Sequence, residues 1–322
     1  MSRRSSTTTS APSSPAPAQL ATADLSLDEE DAYAQLCIIA NDHAPDDQRR
    51  LLPANINTPK ATDATPDDTP KFKTLLGDGH QFGLKLSYAV QESPDGLAQA
   101  FIIGEEFIGK DSVAMVLGDN LFYGSGFGHM LRQAAKNKGR ATIFGYHVEN
   151  PEQFGVVEFD KDGKAVSIVE KPKEPKSNYA VTGLYFYDNR VVEYAKSLKP
   201  SPRGELEITD INQIYLENGD LDIKLMGRGF AWLDTGTVDA LTDACNFIRT
   251  VENLQGIMVS APEEIAYNSR WISKKTLVES AKKYGKSAYG QHLMKVAEGK
   301  IMYSENLGER PNWGKDNPSP NE

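Results

Sequence analysis

From Thr65 onward, short apolar runs rich in β-branched residues alternate with amphipathic segments, the pattern of helices packed on a sheet. Lys85 to Gln91 reads as a strand, Ser93-Pro94-Asp95-Gly96 as a turn and Leu97 to Ile108 as a helix. Val113-Ala114-Met115-Val116-Leu117 is too short and too β-branched for a helix and reads as a buried strand; another spans Ala141 to Val148. Phe154 to Phe159 and Ala165 to Glu170 flank Asp160-Lys161-Asp162-Gly163, a hairpin signal, and Tyr179 to Tyr187 adds an aromatic-rich strand, so an antiparallel section interrupts the alternation. Thr237 can cap a helix that places Leu241, Ala244, Cys245, Ile248 and Val251 on one face, with Gly256 at its end, and that stripe assigns Cys245 to the core. Helical patterns at Ser273 to Tyr284 and Tyr289 to Glu298 close the domain. The expected fold is α/β: a mixed, mainly parallel sheet with helices on both faces.

Residues 1–64 differ in kind. Ser, Thr, Pro and Ala dominate to Ala23, an acidic patch follows at Asp28-Glu29-Glu30-Asp31, and a Pro/Asp/Thr-rich stretch leads to Thr65. This segment reads as low-complexity, disordered or non-homologous, save for one amphipathic helix expected over Leu27 to Asn41. All 26 glycines lie at Gly77 or later, so the first 76 residues contain no loop that could bring backbone amides close around a phosphate. The division that results is 1–64, a globular domain at 65–304, and a polar, loose tail at 305–322.

Charge and cysteine content narrow the function. A formal charge of −10 over 322 residues, with no basic stripe, argues against nucleic acid as a partner, and leaves any phosphate to be met by local lysines. Cys37 and Cys245 are far apart and lack CxxC spacing, so neither a disulfide framework nor a zinc site is indicated, and a reducing cytoplasm fits. No apolar stretch approaches the length of a membrane span, and Met1-Ser2-Arg3-Arg4 leads into Ser and Thr rather than a signal-peptide core.

Asp119, in Val116-Leu117-Gly118-Asp119-Asn120, and Asp234, in Trp232-Leu233-Asp234-Thr235-Gly236, each stand where an apolar run stops at a glycine-containing turn. Ligands of α/β sheets bind beyond the carboxyl ends of strands, so the two carboxylates are placed to face one crevice and to suit magnesium, which completes its shell with water and phosphate. The same sequences also serve as ordinary turns. Glu170-Lys171-Pro172 ends a strand at a proline, leaving an acid that can accept sugar hydroxyl protons beside an amine that suits phosphate; a surface ion pair is the other reading. Gln91 offers an amide that can read a base edge, and Gly96 lets a base approach the backbone, though both residue types are common structural elements of turns. The five histidines form neither HxH nor HExxH, and no Ser-His-Asp arrangement is readable.

From Thr65 to about Tyr303 the chain resembles bacterial glucose-1-phosphate thymidylyltransferases. The resemblance is carried by Leu75-Leu76-Gly77-Asp78-Gly79, Gln91 through Ala100, Leu117-Gly118-Asp119-Asn120, Tyr179 through Tyr185 and Arg203-Gly204-Glu205-Leu206-Glu207-Ile208-Thr209-Asp210. It implies a Rossmann-like nucleotidyltransferase fold making dTDP-glucose and pyrophosphate from dTTP and glucose 1-phosphate, for deoxysugar synthesis of the dTDP-rhamnose type. It further implies that Gln91 and Gly96 hold the base, that Asp119 and Asp234 bind Mg²⁺, and that Asn120, Tyr146, Gly155, Glu170, Lys171, Val181 and Trp232 surround the sugar phosphate. Lys171 would grip the phosphate, and a cytoplasmic homotetramer is the implied assembly. Members of that family open with a strand, a G-G-x-G-T-R loop and a lysine that cradle the triphosphate. Residues 1–64 show no match to that unit, so the first strand-loop-helix unit reads as missing and a central strand is expected to lose its neighbour. A non-catalytic relative that binds a sugar nucleotide is the alternative.

Overall fold

A computed structural model describes residues 35–41, 50–56, 65–93 and 95–301, with side chains described from Thr69 onward. The disorder expected before Thr65 and in the tail at 305–322 therefore falls outside the described residues, apart from two strands. In chain order the elements are β1 (Gln35–Asn41), β2 (Arg50–Ile56), α1 (Thr65–Leu76), β3 (Lys85–Leu86), β4 (Ala89–Val90), α2 (Gln99–Ile103), α3 (Glu105–Ile108), β5 (Val113–Leu117), β6 (Asn120–Gly124) and α4 (Phe127–Ala135). There follow β7 (Ala141–His147), β8 (Gly155–Phe159), β9 (Ala165–Glu170), β10 (Tyr179–Tyr187), α5 (Arg190–Ser197), α6 (Ile208–Glu217), β11 (Leu221–Met226) and β12 (Phe230–Asp234). Helices α7 (Val238–Gln255), α8 (Pro262–Asn268), α9 (Lys274–Tyr284) and α10 (Ala288–Ala297) complete the described chain.

The main sheet runs β11-β7-β10-β5-β1-β2-β3, with β4 against β2 and the β8–β9 hairpin attached to β10. Strand β10 is antiparallel to β5 and β7, β11 is parallel to β7, and β1 is antiparallel to both β5 and β2. The sheet is mixed, as expected, and β1, β9 and β10, which run against the other strands, make their pairings antiparallel. Two expectations are corrected here. Gln35–Asn41, the second half of the helix expected over Leu27 to Asn41, is a strand paired with Arg50–Ile56. It also fills the flank of β5 expected to be vacant, in the register Cys37 opposite Leu117 through Asn41 opposite Val113. The physical reason is that the edge of β5 presents amides and carbonyls needing partners, and a segment with β-branched Ile38 and Ile39 meets them more readily as a strand than as an isolated helix.

Strand β10 is buried on both faces. Val181, Tyr185 and Tyr187 enter one core with Phe101, Ile108, Met115, Val191, Ile211 and Tyr215; Ala180 and Leu184 enter a second with Phe144, Met226 and Trp232. The helix expected over Leu97 to Ile108 breaks at Gly104 into α2 and α3. A third core, formed by Ala266, Leu277, Ala281, Leu293 and Val296, belongs to α8–α10, where buried His292 and Glu264 pair at 2.6 Å. Thr237, Ser273 and Ser287 cap α7, α9 and α10 through their hydroxyls.

Helix α7 departs from the expected stripe. Ala244 is buried, but Cys245 is exposed and Leu241 is 45% exposed, because α7 rests on the β6–β12 ladder, where Phe247 meets Tyr123 edge-on and Gln255 bonds its hydroxyl. A two-stranded ladder is too narrow to cover the whole stripe.

At the far end of β10, Asp188 joins three elements by accepting bonds from Arg190 and Tyr215, while Arg190 also reaches Asp220. Burial would raise the Asp188 carboxyl, but the bonds from Arg190 and Tyr215 outweigh it and hold the group below the usual range. Because the Arg190 side chain is 42% exposed, Asp188→Asn is expected to cost only about 1–2 kcal/mol at neutral pH. A carboxyl lowered by folding stabilises above its unfolded pKa and loses that effect as pH falls through its folded value. The urea-midpoint gap between the parent and Asp188→Asn should therefore shrink on going from pH 6 to about pH 3; a constant gap would remove the charge from the account.

Candidate active site

The two strand ends that carry the aspartates are tied together by backbone. Asp234 lies opposite Asn120 in the β6–β12 ladder, and Thr235 donates both its amide (2.9 Å) and its hydroxyl (2.8 Å) to the Asp119 carbonyl. Both carboxylates consequently approach Gly236, where an added Cβ would lie 3.0 Å from Asp234 Oδ1 and 4.0 Å from Asp119 Oδ2. Burial first, and then the Asp119 charge, push the Asp234 carboxyl up; the Gly236 amide and the Lys171 ammonium oppose that shift. Among the described residues no cluster of three or more His, Cys, Asp or Glu side chains forms a metal cage. Two hard carboxylates without a third protein donor suit a cation that keeps water and phosphate oxygens in its shell.

Beside the pair opens a cavity of about 190 Å³, at the carboxyl end of β5 and alongside the first half of β10. Gly96, Asn120, Gly155, Glu170, Lys171, Val181, Trp232 and Asp234 line it, so eight of the eleven residues singled out in the sequence meet in one place. Lys171 follows β9 with a left-handed φ of +41°, which costs an L-residue roughly 1–2 kcal/mol, and its amide is fixed to the Phe154 carbonyl at 3.0 Å. Glu170 accepts from the Thr209 hydroxyl at 2.5 Å and lies 3.6 Å from Arg203. Gly155 keeps that carboxylate open, since a Cβ there would stand 3.0 Å from Thr209 Oγ1 and 3.2 Å from Glu170 Oε2. Trp232 forms an aromatic wall, with Phe154 and Tyr146 edge-on to it at 5.1 and 6.0 Å.

Three of the expected residues sit behind this surface. Tyr146 donates to the Phe230 carbonyl at 3.1 Å and supports Trp232. Asp119 lies behind Asn120, whose amide it accepts at 2.8 Å. Gln91 is buried, with Nε2 donating to the Gly96 carbonyl and to Gln99, whereas its Oε1 has no hydrogen-bond partner. Gly96 itself has φ +101° and is pressed on Leu206, where a Cβ would come within 2.5 Å of backbone atoms, so only glycine fits.

Arg203 and Thr209 are the functional candidates that residue-by-residue reading missed. Arg203 enters the cavity amid Glu170, Glu205 and Glu207, at 3.6, 2.9 and 3.4 Å. Burial raises the Glu205 carboxyl, Arg203 opposes this and Glu207 adds to it. Their sole signal was membership of the stretch Arg203 to Asp210, in which nothing singles out one arginine or one threonine.

A family model described as nucleotidyl transferase matches residues 48–251. The chain is 59% identical over 231 residues to the glucose-1-phosphate thymidylyltransferase of Neisseria meningitidis, covering 72% of this chain and 80% of that one. It is 57% identical over 234 residues to the enzyme of the same name from Mycolicibacterium smegmatis, covering 73% and 81%. Among solved structures, a Bacillus anthracis protein assigned as a glucose-1-phosphate thymidylyltransferase, crystallised with sucrose, aligns with a TM-score of 0.51 at 42% identity, over 55% of this chain and 71% of that one. With the strand-end carboxylates, the cavity and the matched segments in one continuous domain, the chain belongs to the nucleotidyl transferase family, among the glucose-1-phosphate thymidylyltransferases.

Proposed function

We propose that the chain transfers the thymidylyl group of dTTP to glucose 1-phosphate, forming dTDP-glucose and releasing pyrophosphate. The observation that carries this reading is the convergence of the Asp119–Asp234 pair with Lys171 and Arg203 around a cavity walled by Trp232. Glu170, held by Thr209, offers a two-oxygen acceptor for neighbouring sugar hydroxyls, and Lys171 and Arg203 supply the cations that a sugar phosphate requires. Gln91 Oε1, buried and without a partner, suits the imide N–H of thymine. The phosphate oxygen of glucose 1-phosphate attacks the α-phosphorus of dTTP in line; the bond from that phosphorus to the oxygen bridging to the β-phosphate breaks, and pyrophosphate carries the electron pair away. The protein supplies position and charge, with no covalent intermediate. Asp119 and Asp234 would hold Mg²⁺, which neutralises charge on the phosphoryl oxygens.

The product feeds deoxysugar synthesis of the dTDP-rhamnose type in the cytoplasm. Among the described residues no helix is long and apolar enough to cross a membrane. The working assembly is a homotetramer. Its support is the uncovered apolar surface of α7, where Val238, Leu241 and Leu254 are 66, 45 and 82% exposed.

Purified protein given dTTP, glucose 1-phosphate and Mg²⁺ is expected to release pyrophosphate, and Asp234→Asn to reduce kcat by at least ~100-fold. Release no greater than that of Asp234→Asn would overturn the enzyme reading; retained binding of dTDP-glucose would then identify a sugar-nucleotide-binding relative. Lys171→Ala and Arg203→Ala should each lower kcat/KM for glucose 1-phosphate by about 10–100-fold while leaving the KM for dTTP within a few-fold. Light scattering should return the mass of four chains, and Leu241→Asp combined with Leu254→Asp should give smaller species; a monomeric parent would remove the tetramer.

A further inference from the structure

The carboxamide of Asn120 is held from three directions. Its Oδ1 accepts the Gly183 amide at 2.9 Å and the Trp232 indole N–H at 2.7 Å, and its Nδ2 donates to Asp119 Oδ1 at 2.8 Å. The orientation of the amide follows from the chemistry of its neighbours. A backbone N–H and an indole N–H can only donate, so the oxygen must face them, and the NH₂ group is left to face the carboxylate. Position 183 must be glycine for this to work, since a Cβ there would stand 2.5 Å from Asn120 Oδ1 and 2.7 Å from its Cγ.

The resemblance to related enzymes would make Asn120 a sugar contact. We propose that Asn120, besides lining the cavity, is a positioning residue that sets the rotamer of Asp119 and locks the metal-side carboxylate to the Trp232 wall. With Oδ1 of Asp119 engaged by the amide, its Oδ2 is the oxygen that would lie 4.0 Å from a Cβ at Gly236, a position 3.0 Å from Asp234 Oδ1. The Gly236 amide does the same for Asp234 by occupying its Oδ1 at 2.9 Å. Each carboxylate therefore receives an N–H donor on its Oδ1, which helps fix how the pair presents itself to a cation. Groups that orient ligand carboxylates in this way typically matter by 10–100-fold in metal affinity or activity. The inference rests on the metal reading of Asp119 and Asp234 given above.

The test is a double-mutant cycle between Asn120→Leu, which keeps the side-chain shape, and Asp119→Ala, read two ways. The first readout is Mn²⁺ binding to the substrate-free protein, followed by the paramagnetic resonance signal of the free ion; the second is the split between kcat and the KM for glucose 1-phosphate. Asn120→Leu is expected to weaken Mn²⁺ binding and lower kcat by about 10–100-fold, over and above any change in the KM for glucose 1-phosphate. In the Asp119→Ala background the same substitution should cost almost nothing further. Gly183→Ala, which displaces the carboxamide without altering Asn120, should reproduce the Asn120→Leu pattern, and circular dichroism checks that each variant is folded. Unchanged Mn²⁺ binding with a raised KM, or losses that simply add in the double variant, would overturn the positioning role and leave Asn120 with the sugar alone. Absence of saturable Mn²⁺ binding in the parent would overturn the metal reading and this inference together.

Discussion

Two carboxylates that face each other in a partly buried crevice repel, and the chain must hold them there by force of backbone geometry. The β6–β12 ladder supplies that force: Asp234 lies directly across from Asn120, and Thr235 uses both of its donors to anchor the Asp119 carbonyl. Burial, and after it the Asp119 charge, push the Asp234 carboxyl up, and the Gly236 amide and the Lys171 ammonium partly offset that push. The other parts of the cavity are arranged around this pair. The β8–β9 hairpin delivers Glu170 and Lys171, β10 delivers Val181 and Gly183, and the stretch before α6 delivers Arg203 and Thr209.

Such an arrangement demands a rigid support, and β10 provides it. Alternate residues of this one strand enter separate cores on the two faces of the sheet, so neither face can slide without disturbing the other. One end of β10 borders the cavity, and just beyond the other Asp188 gathers Arg190 and Tyr215. Strain is tolerated where the support is strongest: Lys171 keeps its left-handed backbone because its amide is bonded to Phe154 and the following proline ends the strand.

Much of this was legible in the residues. Short apolar runs located β5, β7 and β10 nearly to the residue, and Asp160 to Gly163 announced the hairpin, because these depend on local pattern and turn chemistry. Cys245 was misplaced because a helical stripe shows which residues share a face but not how wide a surface receives it; a two-stranded ladder covers less of α7 than a full sheet would. The helix expected from Leu27 failed over Gln35–Asn41 for a related reason, since the open flank of β5 that recruits this segment lies over seventy positions away in sequence. Arg203 and Thr209 escaped notice because their role arises only when α6 packs beside β9.

The helices α8–α10 enclose a core of their own, distinct from the two that flank the sheet, and bury a His292–Glu264 pair within it. Separate cores favour separate cooperative units: amide exchange in α9 and α10 is expected to report the opening of that small bundle, and exchange in β10 the opening of the sheet. Two thresholds of unfolding are expected to follow, with the small bundle able to open while the cavity that holds Asp119 and Asp234 keeps its shape.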